Sequence, residues 1–470
     1  MNLSEKILEL EFLNEFTKLA SVEGIKLYLV GGFVRDLIMN KARNDLDILV
    51  IGNGPEFARK IADRLGVKNV VIYKNFGTAN FNYKYYKLEF VGARKESYDR
   101  KSRNPIVEEG SFDDDINRRD FTINSIAVSL NKEDFGNVID KFNGIEDIRK
   151  KLIKTPIDPL ITLNDDPLRI LRAFRFASQL KFSVDNSIIE ASKKLKERLK
   201  IVSQERITEE LLKILQTESP SIALELLYYS EVLEIIFPEL HKLAGVEQIN
   251  EYHHKDAFFH TCEVVDNISK YTNDVYLRFA ALVHDIAKPI TKKFVEGVGW
   301  TFHGHEELGA RMIKGIFRKL KLPFNKVDYV EKLVRLHLRP IALANEEVTD
   351  SAIRRLIVQA GDALDDLIIL CKADITSKNP LKVEKYLDNY NKVIQRVKEV
   401  EEKDRLRSFQ SPVRGEEIMR VCNIPPGKTV GLIKSAIEEA IIEGVIPNNY
   451  EAAYEYFLKV KDQFLNYSKS

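Results

Sequence analysis

Asp45 and Asp47 flank Leu46 at the entry to the apolar run ILVI. In a strand, whose side chains alternate with a period of two, both carboxylates fall on one face and Leu46 on the other. Like charges held so close repel. A divalent cation neutralises both, and Mg²⁺ takes one or two carboxylates together with phosphate oxygens. An acidic strand entry open to water is the plainer reading of the pair alone. Upstream, KLYLV runs into Gly31 and Gly32 and then into a helical stretch. The missing side chains would let a phosphate approach backbone N–H groups at the positive end of that helix, with Arg35 one turn in as countercharge. The glycine turn, the arginine and the D-x-D close together favour a triphosphate and metal site over either plain reading.

The elements that must hold these groups fall into two regions. Up to about residue 140, helical patterns mix with the strand-like runs KLYLV, DLDILVI, NVVIY, FNYKYYKLEFVGA and NVIDKF, which reads as α/β. From about residue 145, Leu, Ile and Ala recur at three- and four-residue spacing and predict an all-helical remainder. Pro, Gly and Asn cluster at TPIDPLITLNDDP, FPELHKLAGVEQINEYHHKD and SKNP, where boundaries are expected. The predicted division is residues 1–145, 146–245, 246–380 and 381–470, consistent with a length of 470 residues.

Composition excludes several classes. The 44% hydrophobic and 30% charged fractions are those of a globular chain, and no apolar run is long enough to span a bilayer. The first twenty residues lack the basic start and unbroken apolar stretch of a signal peptide, so a cytoplasmic location without membrane partner is expected. Three scattered cysteines, Cys262, Cys371 and Cys422, support neither a disulfide framework nor a thiolate zinc site. A net charge of +1 argues against coating nucleic acid by bulk charge, so any RNA surface is expected to be local. Oligomeric state is not legible.

With the D-x-D strand after its glycine turn, the chain resembles the DNA polymerase β-like nucleotidyltransferases. The block RNPIVEEGSFDDDINRRDFTINSIA narrows the resemblance to class II tRNA nucleotidyltransferases, the CCA-adding enzymes, and the related bacterial poly(A) polymerases. That resemblance implies an α+β chain, with a nucleotidyltransferase head of mixed sheet and helices followed by a helical neck, body and tail. It also implies Mg²⁺ on Asp45 and Asp47, and a further acidic residue for which Glu89 is the candidate. Arg118 and Arg119 offer donors to phosphate or ribose, with Asp120 able to orient them. Asp113, Asp114 and Asp115 read instead as a solvated helix N-terminus.

The segment LNDDPLRILRAFRFASQLKF is similar to a further block of that family. Asp166 can cap the helix that Pro167 begins, and a solvated basic face would explain Arg169, Arg172 and Arg175. Chemistry suggests more. Cytosine and adenine both present an amine donor beside a ring-nitrogen acceptor, which Asp166 and Arg169 together complement, whereas uracil and guanine offer a carbonyl to the carboxylate. The resemblance thus implies tRNA, CTP and ATP as partners, with Gly31, Gly32, Arg35, Arg119, Asp166, Arg169, Arg172 and Arg175 about the nucleotide. Addition of A alone, or of poly(A), is the alternative product.

Further on, FFHTCEVV, LVHDIAKP, FHGHEEL, LVRLHLRP and CKADITSKNP resemble the H…HD…D pattern of the HD superfamily. The resemblance implies a divalent transition metal held by His260, His284, Asp285 and Asp374, with His305 and His337 able to hold a second. It also implies a phosphohydrolase as a function of another class. Neighbouring His and Asp suit Mn²⁺, Fe²⁺, Ni²⁺ or Mg²⁺, while any one of these histidines alone reads as structural. Residues 381–470 resemble nothing assignable.

Overall fold

The computed structural model describes residues 1–73, 77–97, 106–250, 253–345, 349–377, 379–404 and 411–467. It divides into two compact units, Met1–His241 and Lys242–Ser470. The RNP of RNPIVEEG, the EY of EYHHKD and the Lys of SKNP lie outside the described residues.

In the first unit, β1 (Lys26–Val30), β2 (Asp45–Ile51), β3 (Val71–Tyr73), β4 (Thr78–Tyr83) and β5 (Tyr86–Gly92) precede a small separate hairpin, β6 (Arg94–Ser97) with β7 (Ile106–Glu109). Then come β8 (Ala127–Ser129) and β9 (Val138–Ile139). Seven of these form one sheet in the order β3-β4-β5-β2-β1-β8-β9, with β2 and β5 parallel and the other pairs antiparallel. The run FNYKYYKLEFVGA is two strands rather than one. Lys84 takes φ +52° between them, so the alternating pattern folds back on itself.

The sheet is covered on one face by aromatic packing: Phe16, Phe57 and Phe81 all lie against Phe90, with ring centroids 5.4 to 6.2 Å apart. Leu46, Ile48 and Val50 are fully buried, as the two-residue period requires for the positions that face away from Asp45 and Asp47. Tyr28, Val30, Leu49 and Ala127 form a smaller core on the other face, beside which the two carboxylates emerge. Helices follow to the end of this unit, interrupted by one short parallel strand pair, Leu152–Ile153 with Ser183–Val184, which the helical period does not predict. The helix Leu168–Leu180 is so deeply packed that ten of its residues, Arg169 among them, are buried.

The second unit is helical, with two short hairpins that the helical period had not predicted, Glu247–Asn250 with His253–Asp256 and Lys293–Val295 with Gly299–Thr301. Its last three helices, Gly415–Cys422, Lys428–Ile442 and Tyr450–Tyr467, enclose a core of their own around Ile418, Ile433, Ile437 and Phe457. Among the described residues no helix is long and apolar enough to cross a membrane.

Candidate functional site

Register places the carboxylates. Antiparallel pairing sets Val30 opposite Asp47, and parallel pairing sets Glu89 beside Asp47 and Lys87 beside Asp45. The chain turns at Gly31 directly over Asp47. Gly31 has φ +74°, and a Cβ there would sit 2.7 Å from Asp47 Oδ2, so two independent constraints require glycine. Asp45 stays exposed at the rim. Asp47 lies deeper, and its burial, with Glu89 and Asp45 adding to it and Arg119 and Arg43 opposing, raises its pKa to about 6. A carboxylate so perturbed attracts cations.

The arginines are arranged differently from the sequence expectation. Arg35 is not a free countercharge. Its guanidinium is fully buried, donating to both oxygens of Asp36 at 2.8 and 3.0 Å and to Asn124 Oδ1 at 2.8 Å. The cation nearest Asp45 is Arg43, which donates to Asp36 at 3.0 Å and approaches Asp45 to 4.0 Å. Nothing in the glycine-turn pattern marked Arg43, although it lies one short loop before the D-x-D.

Asp120 does not orient Arg118 and Arg119. Asp115 does: fully buried rather than solvated, it accepts from Arg119 at 2.8 and 3.1 Å and from Arg118. Asp115 on the helix Phe112–Asn117 and the two arginines at its exit thus make an i, i+3 and i, i+4 clamp. Asp114, in contrast, is the helix N-terminal group expected, in a capping box with Ser111. Asp120 takes two donors from Arg172, at 2.5 and 3.0 Å, besides Asn124 Nδ2 and the Phe121 amide. Burial pushes its carboxyl up, but Arg172, Asn124 and Arg169 outweigh burial and bring the pKa down to about 2.

Just before the helix Leu168–Leu180, Asp166 accepts from the Leu168 amide at 3.2 Å, a capping contact, while its other oxygen meets Arg206 at 3.3 Å. Arg169 spends its donors on two carbonyls, Thr162 at 3.0 Å and Arg118 at 2.6 Å. Arg175 donates to Glu210 at 2.6 Å and lies over the Phe176 ring at 4.2 Å. Two adjoining clefts of about 560 and 630 Å³ result. Both are lined by Asp47, Arg119, Asp120 and Arg172; the first adds Asp45, Gly31 and Arg175, the second Glu89, Asp166 and Arg169. The eleven head and helix positions singled out from sequence thus converge in one place. Arg206, the partner of Asp166, had no motif to reveal it.

In the second unit His260, His284, Asp285, His305, His337 and Asp374 also converge. His260 Nε2 is 2.9 Å from Asp374, His284 Nε2 3.2 Å from Asp285 and 3.4 Å from Asp374, and His305 Nε2 3.3 Å from Asp285. His337 Nε2 lies 3.9 Å from Asp285. Three of the rings are fixed by the carbonyl three residues back: Ala281 for His284, Phe302 for His305 and Val334 for His337, at 2.6 to 2.8 Å. A ring that donates from Nδ1 keeps the Nε2 lone pair free. Nε2 of His284, of His305 and of His337 is buried without a hydrogen-bond partner. Burial, reinforced by His284, lowers His337 to about 3, so this ring is neutral. At His284, burial is overcome by Asp285 and Asp374, which raise it to about 10: the pocket draws positive charge. Clustered imidazole nitrogens and two carboxylates, with the trios His260/His284/Asp285 and Asp285/His305/His337 each within 4.8 Å, fit one or two divalent cations.

A glycine-turned carboxylate pair on a mixed sheet, backed by an arginine-bearing helix, defines a nucleotidyltransferase, and here it shares its chain with an HD-type cluster. Residues 27–154 match the poly A polymerase head domain, 181–243 the family described as "probable RNA and SrmB-binding site of polymerase A", and 257–376 the HD domain. The chain thus carries, in order, regions similar to a poly A polymerase head, its RNA-binding segment and an HD domain.

Among curated relatives, it is 45% identical over 163 residues to an A-adding tRNA nucleotidyltransferase of Aquifex aeolicus, a match spanning 35% of this chain and 19% of that longer protein. It is 28% identical over 386 residues to the Multifunctional CCA protein of Legionella pneumophila, covering 79% of this chain and 89% of the relative. Among solved structures, a tRNA nucleotidyltransferase complexed with a primer tRNA and an incoming ATP analog is 26% identical, with a TM-score of 0.58 over 81% of this chain and 99% of that one. The apo form II of a CCA-adding enzyme shares the fold, with a TM-score of 0.65 at 22% identity over 98% of this chain and 99% of that one.

Proposed function

We propose that the chain adds C, C and A to the 3′ end of tRNA from CTP and ATP without a template, releasing pyrophosphate. The observation that carries the reading is the placement of Asp47 between Asp45 and Glu89, under Gly31 and at the mouth of an arginine-lined cleft. In this reading residues 1–145 are the head, 146–245 the neck and body, 246–380 the HD domain and 381–470 the tail. Asp45 and Asp47, with Glu89 beside them, would hold Mg²⁺, which when bound neutralises the triphosphate and sharpens the attacking 3′-OH.

The protein's own part is positioning. Gly31 and Gly32 leave the helix N-terminus open to phosphate, and Arg119, kept in place by Asp115, supplies charge beside it. Asp166 and Arg169 read the base edge by exchanging their partners in the protein, Arg206 and the Thr162 and Arg118 carbonyls, for the amine and ring nitrogen of C or A. U and G leave the carboxylate facing a carbonyl, a mismatch that can discriminate by about 10⁴. Asp45→Ala and Asp47→Ala should abolish incorporation in a folded protein, and Asp166→Ala should admit UTP. Incubation with tRNA lacking its 3′ end, with CTP and ATP separately and together, tests the product. Incorporation of A without any of C would assign A-only addition, the reading that the Aquifex aeolicus relative supports.

The six converging His and Asp residues support a second activity, metal-dependent hydrolysis of a phosphate ester at an RNA end. Turnover of a 2′,3′-cyclic nucleotide by metal-loaded protein, lost in His284→Ala, would establish it. Absence of both metal binding and turnover would leave the region a scaffold.

A further inference from the structure

Between Asp285 and His305 the chain leaves the buried cluster, forms the hairpin Lys293–Val295 with Gly299–Thr301, and returns. Its surface is unusual for a helical unit. Phe294 and Trp300 are cross-strand partners, their rings meeting edge to face at 5.3 Å, and they are 60% and 38% exposed. Val298 at the turn is 73% exposed, and Ile290 at the base is exposed as well. Lys292 places its ammonium 4.5 Å from the Trp300 ring centroid, with Lys293 next to it in sequence. Scattered apolar residues need no explanation, but exposed aromatic rings grouped with lysines do.

The base of the hairpin is fastened to the cluster from both sides. Lys288 pairs with Asp285 at 2.6 Å and lies over the Phe302 ring at 5.7 Å, and the Phe302 carbonyl accepts from His305 Nδ1 at 2.7 Å. One residue, Phe302, thus links the strand that carries Trp300 to the orientation of a candidate ligand.

We propose that this hairpin is a stacking platform for the single-stranded 3′ end of an RNA, presenting the terminal phosphate ester to the His/Asp cluster. The proposal rests on the reading of that cluster as an RNA-end phosphohydrolase. Aromatic faces stack on any base, and neighbouring lysines meet the backbone phosphates, the combination by which single strands are held without regard to sequence. An anionic lipid surface could also take the rings and lysines, but the position of the hairpin beside a cluster suited to a phosphate ester favours an RNA end, and vesicles serve as the opposing arm of the test.

Trp300 is the only tryptophan of the chain, so its fluorescence reports on the hairpin alone, whatever RNA does at the head. The full-length protein is titrated with a single-stranded RNA of about 8 nucleotides ending in a 2′,3′-cyclic phosphate. Saturable quenching is expected, with half-effect between about 1 and 100 μM. Phe294→Ala, which keeps the fluorophore, should weaken binding by about 5- to 150-fold. Lys292→Ala and Lys293→Ala should each reduce the slope of log affinity against log salt by about 0.7.

No quenching by RNA, quenching unchanged by Phe294→Ala, or a spectral shift produced only by vesicles of phosphatidylcholine and phosphatidylglycerol would overturn the proposal. Hydrolysis of 2′,3′-cyclic CMP is measured alongside. Turnover without quenching rejects the platform and keeps the cluster's activity. Quenching without turnover keeps RNA binding at the hairpin and rejects the presentation step.

Discussion

Gly31→Ala separates the steric logic of the head from that of its neighbour Gly32. A Cβ at position 31 would lie 2.7 Å from Asp47 Oδ2, against the 3.4 Å at which ordinary contact begins, and the residue would also be held at φ +74°. The left-handed backbone costs about 1–2 kcal/mol for a residue with a side chain, which lowers the melting temperature of a unit of this size by about 2–8 °C. Asp47 must yield by about 0.7 Å, the difference of those two contact distances. A displacement of that size in a reacting centre costs on the order of 10²-fold in rate, or about 2.7 kcal/mol. At Gly32 the nearest atoms to an added Cβ are those of the Arg43 guanidinium, from 2.5 Å, the far end of a side chain that can swing aside. Single-turnover incorporation of CMP into tRNA lacking its 3′ end, with thermal scans of both variants, gives the comparison. A Gly31→Ala protein as fast as the parent, or a Gly32→Ala protein equally impaired, would refute the argument.

Three further outcomes are expected. Asp47, raised to about 6, binds its proton more tightly in the folded chain than in the unfolded one. Metal-free Asp47→Asn should therefore melt above the parent at pH 8, the gap closing as pH falls from about 6 to 4, as calorimetry in chelator would show. Asp120, lowered to about 2, adds stability above the ordinary carboxylate range that is lost as pH falls from about 4 to 2. Asp120→Asn should cost about 3–5 kcal/mol in urea unfolding at pH 7 by stranding Arg172, and Arg172→Met in the same chain should restore most of it. In the second unit, Mn²⁺ added to chelator-treated protein at 100 times its dissociation constant should stabilise by about 2.7 kcal/mol, with the thermal shift absent from His284→Ala.

Much of the head was legible because a strand's alternation is a strict rule: once DLDILVI is a strand, the sides of Asp45, Leu46 and Asp47 are settled. The histidine positions were legible only as a pattern similar to a known one, since they come from four helical regions that sequence spacing cannot bring together. Charge pairing was the least legible. Arg35 and Arg43 are both plausible partners for a phosphate on paper, and only the packing that buries Arg35 against Asp36 and Asn124 tells them apart. Asp115 looked like one of three equivalent acids, yet helix phase turns Asp113 to solvent and Asp115 inward beneath two arginines. The Trp300 hairpin escaped because a stretch of KKFVEGVGW carries too short an alternation to stand out in a helical neighbourhood.

The bond between Asp120 and Arg172 bears on how such chains can be recombined. It joins a residue of the sheet region to one on the helix Leu168–Leu180, and Arg169 makes a second such join to the Arg118 carbonyl. A chimera cut near residue 145, where the composition changes from α/β to helical, would hand the new head an arginine without its acid, or the new helix an acid without its arginine. Crossovers placed beyond the first unit, after His241, carry both halves of each join intact. Exchange of parts between relatives, in the laboratory or over generations, should therefore move the head and the arginine helix as a single cassette.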